Sequence, residues 1–317
     1  MRGRVLVTGG AGFIGSHVAD AFLEADYEVT VLDNLSSGRY ENVPQGAKFV
    51  RAEIASPEAR ELVATGGFTH LDHQAAQIDV RVSVADPQFD ARVNILGLLN
   101  LLEGARKGGV RRVIFASSGG VVYGESDQLP HREDARKLPV SGYGASKLAS
   151  EFYLAVFAQL YRIETVSLRY ANVYGPRQNT EGEAGVVAIF GSRLRRGEPL
   201  TVFGDGRQTR DYVFVGDVAQ ANVLAATGTL PPLTTIDSSA FNVGTGREVS
   251  VNDLVTTMLT ATGSRVPVTH APARAGELLR SAVDPGRIRR EWGWNPSVEL
   301  SEGLKQTYDW IVRQAAA

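Results

Sequence analysis

The chain contains no cysteine. That excludes disulfides, a thiol nucleophile, and cysteine-ligated zinc or iron–sulfur centres. It also lacks a charge surplus. Thirty-three Lys plus Arg stand against 35 Asp plus Glu, a formal net charge of −2 over 317 residues, far from the basic excess of a nucleic-acid binder. Long apolar runs are missing too. The opening Arg2-Gly3-Arg4 leads into Val5-Leu6-Val7, but Thr8-Gly9-Gly10 interrupts before a signal-peptide core can form. No stretch of about 18 apolar residues occurs, so no membrane span is expected and a soluble, cytoplasmic location is. The five histidines, His17, His70, His73, His131 and His270, have no metal-ligand spacing, and no metal is expected.

What the chain has is an ordinary globular composition, 43% apolar and 21% charged, long enough for two domains or one large α/β domain. Short β-rich runs alternate with helical patterns. Residues 5–7, 29–32, 48–50, 69–73, 113–116 and 164–169 read as strands, the fourth weakened by Asp72. Residues 16–25, 94–107 and 143–160 read as helices. This order predicts an α/β class: a Rossmann-like, doubly wound parallel sheet with helices on both faces. Beyond about residue 175, Pro and Gly punctuate short segments, which suggests a smaller, loop-rich substrate domain. The expected division is 1–175, with about 213–248 returning to it, as the nucleotide-binding part, and 176–212 with 249–317 as the second part. Ligands are expected in the crevice between them.

Gly9, Gly12 and Gly15 follow the first strand and open a helix, spaced GxxGxxG. One glycine permits the turn, the next lets backbone approach a pyrophosphate at the helix N-terminus, and the last lets helix and strand pack closely. Asp33 ends the second strand and can accept from both hydroxyls of an adenosine ribose while repelling a 2′-phosphate. That predicts NAD. The alternative is that Asp33 only caps a turn with Asn34, Ser36 and Gly38. No GK[ST] follows, so a P-loop is excluded.

Tyr143 and Lys147 stand at i and i+4, on one face of a helix. A phenol is a poor base at neutral pH unless cations nearby favour phenolate, and a lysine and an oxidised nicotinamide would do so. Ser117-Ser118 ends a strand and supplies hydroxyls where ligands of parallel sheets bind.

The segments TGGAGFIGSH (8–17), DNLSSG (33–38), HQAAQ (73–77), ASSGGVVYGE (116–125), YGASK (143–147), LRYANVYGPRQ (168–178), GEAGVVAIF (182–190), FGDGRQTRDYVFVGD (203–217), FNVGTG (241–246) and WGWNP (292–296) lie along the whole chain. In these the chain resembles the extended short-chain dehydrogenase/reductases, most closely the bacterial UDP-galactose 4-epimerases. The resemblance implies that Gly9, Gly12, Phe13 and Ile14 hold the pyrophosphate, Asp33, Asn34, Ser37 and Gly38 the adenosine ribose, and Glu53 and Ile54 the adenine. Ala75, Ala76 and Gln77, with Asn94 nearby, would line the nicotinamide side, and Ser117 and Tyr170 would contact the cofactor. Tyr143 would be the acid/base, Lys147 its partner on the nicotinamide ribose, and Ser118 the hydroxyl on sugar O4. Asn172, Val187, Arg210, Arg274, Glu277 and Ser281 would bind the UDP-sugar, the arginines by gripping phosphate. For Arg210 and Arg274 a surface salt bridge is the alternative.

The implied reaction is inversion of C4 through a transient 4-keto sugar, with hydride leaving to NAD and returning on the other face. Dehydratases of this kind add an Asp-Glu pair where Gly119-Gly120 stands, and decarboxylases a Glu where Val121 stands, so simple epimerisation is favoured. A uronate 4-epimerase is the nearest alternative, and a non-enzymatic NAD sensor would have lost Tyr143 or Lys147. Two departures stand out. The family's usual catalytic position before VYG is Gly119 here, which shifts the choice to Ser118 with Ser117 in reserve. Gln74 replaces a usual apolar residue, without explanation in the sequence. Small Ser281 predicts room for an N-acetyl group, unless it is a strand surface residue. By the same resemblance the 94–107 helix and the stripe Phe152, Leu154, Val156, Phe157, Leu160 would form a four-helix homodimer face; the alternative is plain core.

Overall fold

The computed structural model describes residues 2–179, 185–273 and 278–314. Seven strands form one sheet in which every pairing is parallel. In chain order they begin with β1 (Arg4–Thr8), β2 (Glu28–Asp33), β3 (Lys48–Arg51), β4 (His70–His73), β5 (Arg112–Ser118) and β6 (Glu164–Tyr170). The short β7 (Asn172–Tyr174), β8 (Leu200–Phe203), β9 (Thr209–Arg210) and β10 (Tyr212–Phe214) lie outside it. β11 (Ala240–Val243) returns to its edge, and β12 (Val249–Ser250) and β13 (Val268–Ala271) complete the small pairings. The spatial order is β11-β6-β5-β4-β1-β2-β3, so the winding direction reverses between β1 and β4. A crevice at the carboxyl ends of those two strands is where such sheets bind ligands.

The helices are α1 (Phe13–Glu24), α2 (Pro57–Thr65), the short α3 (Val80–Ala85) and α4 (Pro87–Ala91), α5 (Gly97–Gly108), α6 (Gly142–Tyr161), α7 (Val186–Arg196), α8 (Val215–Thr227), α9 (Val251–Thr262), α10 (Gly286–Trp292) and α11 (Leu300–Gln314). Local chemistry sets their ends. Ser141 Oγ accepts from Gly144 N at 3.1 Å to start α6, and Ser56 Oγ accepts from Ala59 N at 3.1 Å ahead of Pro57 to start α2. Gly109, at φ +69°, ends α5.

Alternation along β1 sends Val5 and Val7 to one face of the sheet and Leu6 to the other. The first face packs against α1 and α8 through Val18, Phe22, Val218 and Ala221, and the second against α2, α5 and α6 through Val63, Leu98, Leu101, Leu102 and Leu154. A third apolar cluster, with Val187, Phe190, Leu254, Met258 and Leu304, organises the C-terminal part, and Phe13 and Ile14 at the start of α1 pack on it. That part contains α7, α9, α10 and α11 among its loops, helices the Pro and Gly punctuation had obscured. The helix expected from residue 94 begins in a five-residue π-helical stretch, Arg92–Leu96, continuous with α5. Among the described residues no helix is long and apolar enough to cross a membrane.

Candidate active site

The glycine loop lies at the reversal point. Gly9 has φ +67°, and a Cβ there would come within 2.7 Å of Ala75 N. A Cβ on Gly15 would stand 2.2 Å from Gly9 O, so both positions need glycine for the loop to close between β1, α1 and the 74–77 segment. Gly12 is the N-cap of α1 and offers no side chain to its first N–H groups, and the first turn carries no acidic residue. An anion is the natural complement of that end.

Asp33 is buried beside this loop. Its Oδ2 accepts from Ala11 N at 3.1 Å and its Oδ1 from Leu35 N at 2.8 Å, so it does cap its own turn. The same bonds hold the carboxylate against the glycine loop. A Cβ on Gly38 would lie 3.0 Å from Asp33 Oδ2 and 2.9 Å from Ala11 C, so this position too is kept small. Asn34 Oδ1 accepts from Ser36 N and its Nδ2 donates to Glu53 at 2.9 Å, which closes the rim. Ser37 lies in the same 33–38 turn, while the Ile54 side chain points into the core against Gly97.

On the opposite side stand β5 and α6. Alternation along β5 separates the two serines. Ser117 Oγ is buried and donates to Glu151 Oε1 at 2.6 Å, so its hydroxyl is directed away from the cleft and only its backbone is left to meet a cofactor. Glu151 in turn pairs with the fully buried Arg169 at 2.6 Å, which also donates to Asp237 at 2.8 Å. Ser118 is partly exposed. Its Oγ and Asn172 Oδ1 both border Gly120, 3.8 and 3.9 Å from where a Cβ would stand.

Lys147 is buried. Its Nζ donates to Ala116 O at 2.7 Å and lies 4.7 Å from the Phe115 ring centroid and 5.6 Å from that of Tyr143. Burial pulls this ammonium down to about 7 against the opposing pull of Asp90 and Glu151. Burial, and secondarily the Asp90 charge, pushes the Tyr143 phenol above its ordinary value. The lysine alone therefore does not make a phenolate; the helical spacing puts the two groups together, and burial opposes the charged form of each. His73, stacked on Phe115 and joined to Thr8 Oγ1 at 2.7 Å, is pushed down to about 3 by burial and then by Lys147, so it is neutral.

Several expected residues act through backbone or from behind. Gln77 N donates to Asn94 Oδ1 at 2.9 Å, and Asn94 Nδ2 donates back to Gln77 O at 2.9 Å, locking the loop that also holds Ala75 and Ala76. The Tyr170 side chain is buried, and its hydroxyl donates to Asn222 at 2.9 Å inside the layer between sheet and α8. That removes the hydroxyl from cofactor contact. Val187 is packed in the third cluster, so its side chain cannot wall the sugar pocket. Gln74 has an account after all. Its Nε2 reaches Asp72 at 2.6 Å, Tyr170 OH at 3.1 Å and Asn222 at 3.1 Å, the polar centre that an apolar residue would leave unpaired.

Of the residues expected to bind the sugar nucleotide, Arg210 donates to the Thr209 carbonyl at 2.7 Å and makes no ion pair among the described residues, unlike a surface salt bridge. Its neighbour Asp211 is buried and accepts from Thr245 N and Oγ1, Gly246 N and Val283 N, which anchors the strand that carries Arg210. Ser281 is buried in an irregular segment and is not a strand surface residue. Arg274 and Glu277 lie outside the described residues.

Residues 5–244 match the NAD dependent epimerase/dehydratase family. A UDP-glucose 4-epimerase of Mycolicibacterium smegmatis is 44% identical over 316 residues, covering 97% of this chain and 98% of its own. The crystal structure of the Thermotoga maritima UDP-glucose 4-epimerase with UDP-glucose superposes with a TM-score of 0.93 at 44% identity, over 99% of this chain and 100% of that one. A UDP-N-acetylglucosamine 4-epimerase from Methanobrevibacter ruminantium, in complex with UDP-N-acetylmuramic acid, gives a TM-score of 0.92 at 33% identity, over 98% and 99%. With its parallel sheet reversing at the glycine loop and its Tyr143–Lys147 helix beside Ser118, this chain belongs to the NAD dependent epimerase/dehydratase family.

Proposed function

We propose that this enzyme inverts C4 of a UDP-hexose, interconverting UDP-glucose and UDP-galactose, with NAD as its cofactor and Ser118, Tyr143 and Lys147 as its catalytic groups. What carries the assignment is the floor of the cleft between Ser118 and Val122. The neighbouring hydroxyl, on Ser117, is tied down inside, and a side chain on Gly119 would collide with Val283 Cγ1 at 2.6 Å. The Asp-Glu pair that a dehydratase carries there is absent: Gly119 has no room for a side chain, and Gly120, where a Cβ would meet only ordinary contacts, has none. Sugar chemistry there is left with one hydroxyl, one phenol and one ammonium.

The residues fit the cofactor. The Gly9 cradle and the uncapped start of α1 suit a pyrophosphate held by Gly9, Gly12, Phe13 and Ile14, and Asp33 with Asn34, Ser37 and Gly38 suits an unphosphorylated ribose. When bound, NAD supplies reversible hydride exchange with C4 of the sugar. Tyr143 takes the O4 proton and later returns it. Ser118 orients O4, and Lys147 favours the phenolate while anchored on the Ala116 carbonyl. Arg210, Asn172, Arg274 and Glu277 hold the uridine diphosphate, so the keto sugar can turn over without leaving.

Purified protein is expected to interconvert UDP-glucose and UDP-galactose and to keep deuterium placed at C4 within the sugar. Tyr143→Phe is expected to lose at least about 100-fold in kcat yet still bind NAD. Failure to interconvert either sugar, or loss of the label to solvent, overturns the assignment. We further infer, from small, buried Ser281, that UDP-N-acetylglucosamine is accepted; inertness of the acetamido sugars in the same assay would count against that.

The partner is a second copy of the chain. Phe152, Val156 and Leu160, four residues apart on α6, are 55%, 46% and 66% exposed, and exposed Phe89 and Leu96 lie on the elements packed against α6. An apolar patch of this kind on a soluble enzyme is the signature of a protein interface. Leu154 and Phe157, from the same stripe, belong to the core instead.

A further inference from the structure

Asp90 is a buried carboxylate that the proposed reaction does not use. It lies in α4, yet its bonds tie together the three pieces that build the nicotinamide side of the cleft. Oδ1 accepts from Gln77 Nε2 at 3.0 Å and from Asn94 Nδ2 at 3.0 Å. Oδ2 accepts from Ser146 Oγ, one residue from Lys147 and three from Tyr143. All three donors are neutral, and Asp90 makes no salt bridge among the described residues. An anion taken out of water without a paired cation is costly, and a neutral amide could make a comparable set of bonds. The charge therefore needs a reason, and the Lys147 ammonium, also buried and also without a carboxylate at bonding distance among the described residues, supplies one.

We propose that Asp90 is a positioning residue for the proton-transfer pair: its carboxylate fastens the first turns of α6 to the 77–94 side of the cleft, and its charge serves as the through-space counter-ion of Lys147. This rests on the assignment of Tyr143 and Lys147 above. The titratable groups facing the pair are Asp90 from α4, Glu151 further along α6, and His73 from β4, which burial keeps neutral. Glu151 is paired with Arg169 at 2.6 Å, so Asp90, which has no such partner among the described residues, is the larger of the two negative charges acting on Lys147. Its field favours the protonated form of both Tyr143 and Lys147.

The test compares Asp90→Asn with Ser146→Ala. In Asp90→Asn the amide oxygen can still accept from Gln77 and Asn94, and its NH2 can donate to Ser146, so the tether survives and the charge is gone. Ser146→Ala does the reverse. Asp90→Asn is expected to move both limbs of the kcat–pH profile to lower pH, so that turnover on the alkaline limb falls and turnover on the acid limb rises, each by about tenfold. Ser146→Ala is expected to lower kcat at all pH values without moving the limbs. Tyrosinate absorbance, as the difference between each protein and its Tyr143→Phe counterpart, reads the same shift with no sugar present. It therefore separates failure of this proposal from failure of the epimerase assignment. If Asp90→Asn is not recovered folded, Asp90→Ser, which removes the charge and leaves room for water, takes its place. An unshifted tyrosinate titration in the charge-removing variant, or an equal shift in Ser146→Ala, overturns the proposal.

Discussion

At the scale of single residues, burial decides more than sequence neighbours do. Asp72 interrupts an apolar strand and weakened that strand in the sequence pattern. It is wholly buried, with Gln74 Nε2 on Oδ1, and both Asp72 Oδ2 and Gln74 Oε1 lack a partner among the described residues. Burial raises its carboxyl to about 7, the Gln74 hydrogen bond opposing. The folded state thus holds this proton more tightly than the unfolded chain, where the value is 3.8. Its contribution to stability is fully present below pH 4 and is lost as pH rises towards 7. Asp72→Asn is expected to flatten that slope. At pH 8 it should be more stable than the parent by on the order of 1–3 kcal/mol, and near pH 4 about equal, as measured by urea melts at both pH values. Gly9 is decided by backbone. With φ +67° and Ala75 N in the way, Gly9→Ala is expected to cost at least about 1–2 kcal/mol in the same melts and to weaken NAD binding in a fluorescence titration.

At the scale of elements, the strands and the long helices of the first half were legible because period-two and i/i+4 patterns are local. Strands β1, β2, β3, β5 and β6 and helix α6 fall within a few residues of where spacing put them. The helices of the C-terminal part were not, since α7, α9 and α11 sit between Gly and Pro turns and their apolar residues meet only in a third cluster. Helix α6 carries the proposed acid/base pair, and its start rests on one serine. Ser141→Ala removes the bond to Gly144 N and is expected to cost about 1 kcal/mol in thermal or urea unfolding. Because Tyr143 lies in that first turn, kcat should fall while the KM for the UDP-sugar changes little.

At the scale of the whole molecule, the exposed stripe on α6 is the largest test of organisation. Val156→Asp with Leu160→Lys is expected to convert a dimer to a monomer in sedimentation equilibrium, with little loss of stability, since both residues are solvent-exposed in the single chain. A parent protein that already sediments as a monomer would remove the homodimer from the proposal. The sequence by itself determined the class of the sheet, the glycine turn, the acid beside it and the i, i+4 pairing of phenol and ammonium, all of which depend on residues close along the chain. Only the tertiary structure decided which groups reach the cleft. Ser117 and Ser118 look equivalent in order, but a strand sends them to opposite faces, and Glu151 and Arg169 occupy one of those faces. Tyr170, Val187 and Gln77 likewise turn inward because a partner distant in sequence meets them there. Side-chain direction is set by what packs against each face, and that information is spread over the whole chain.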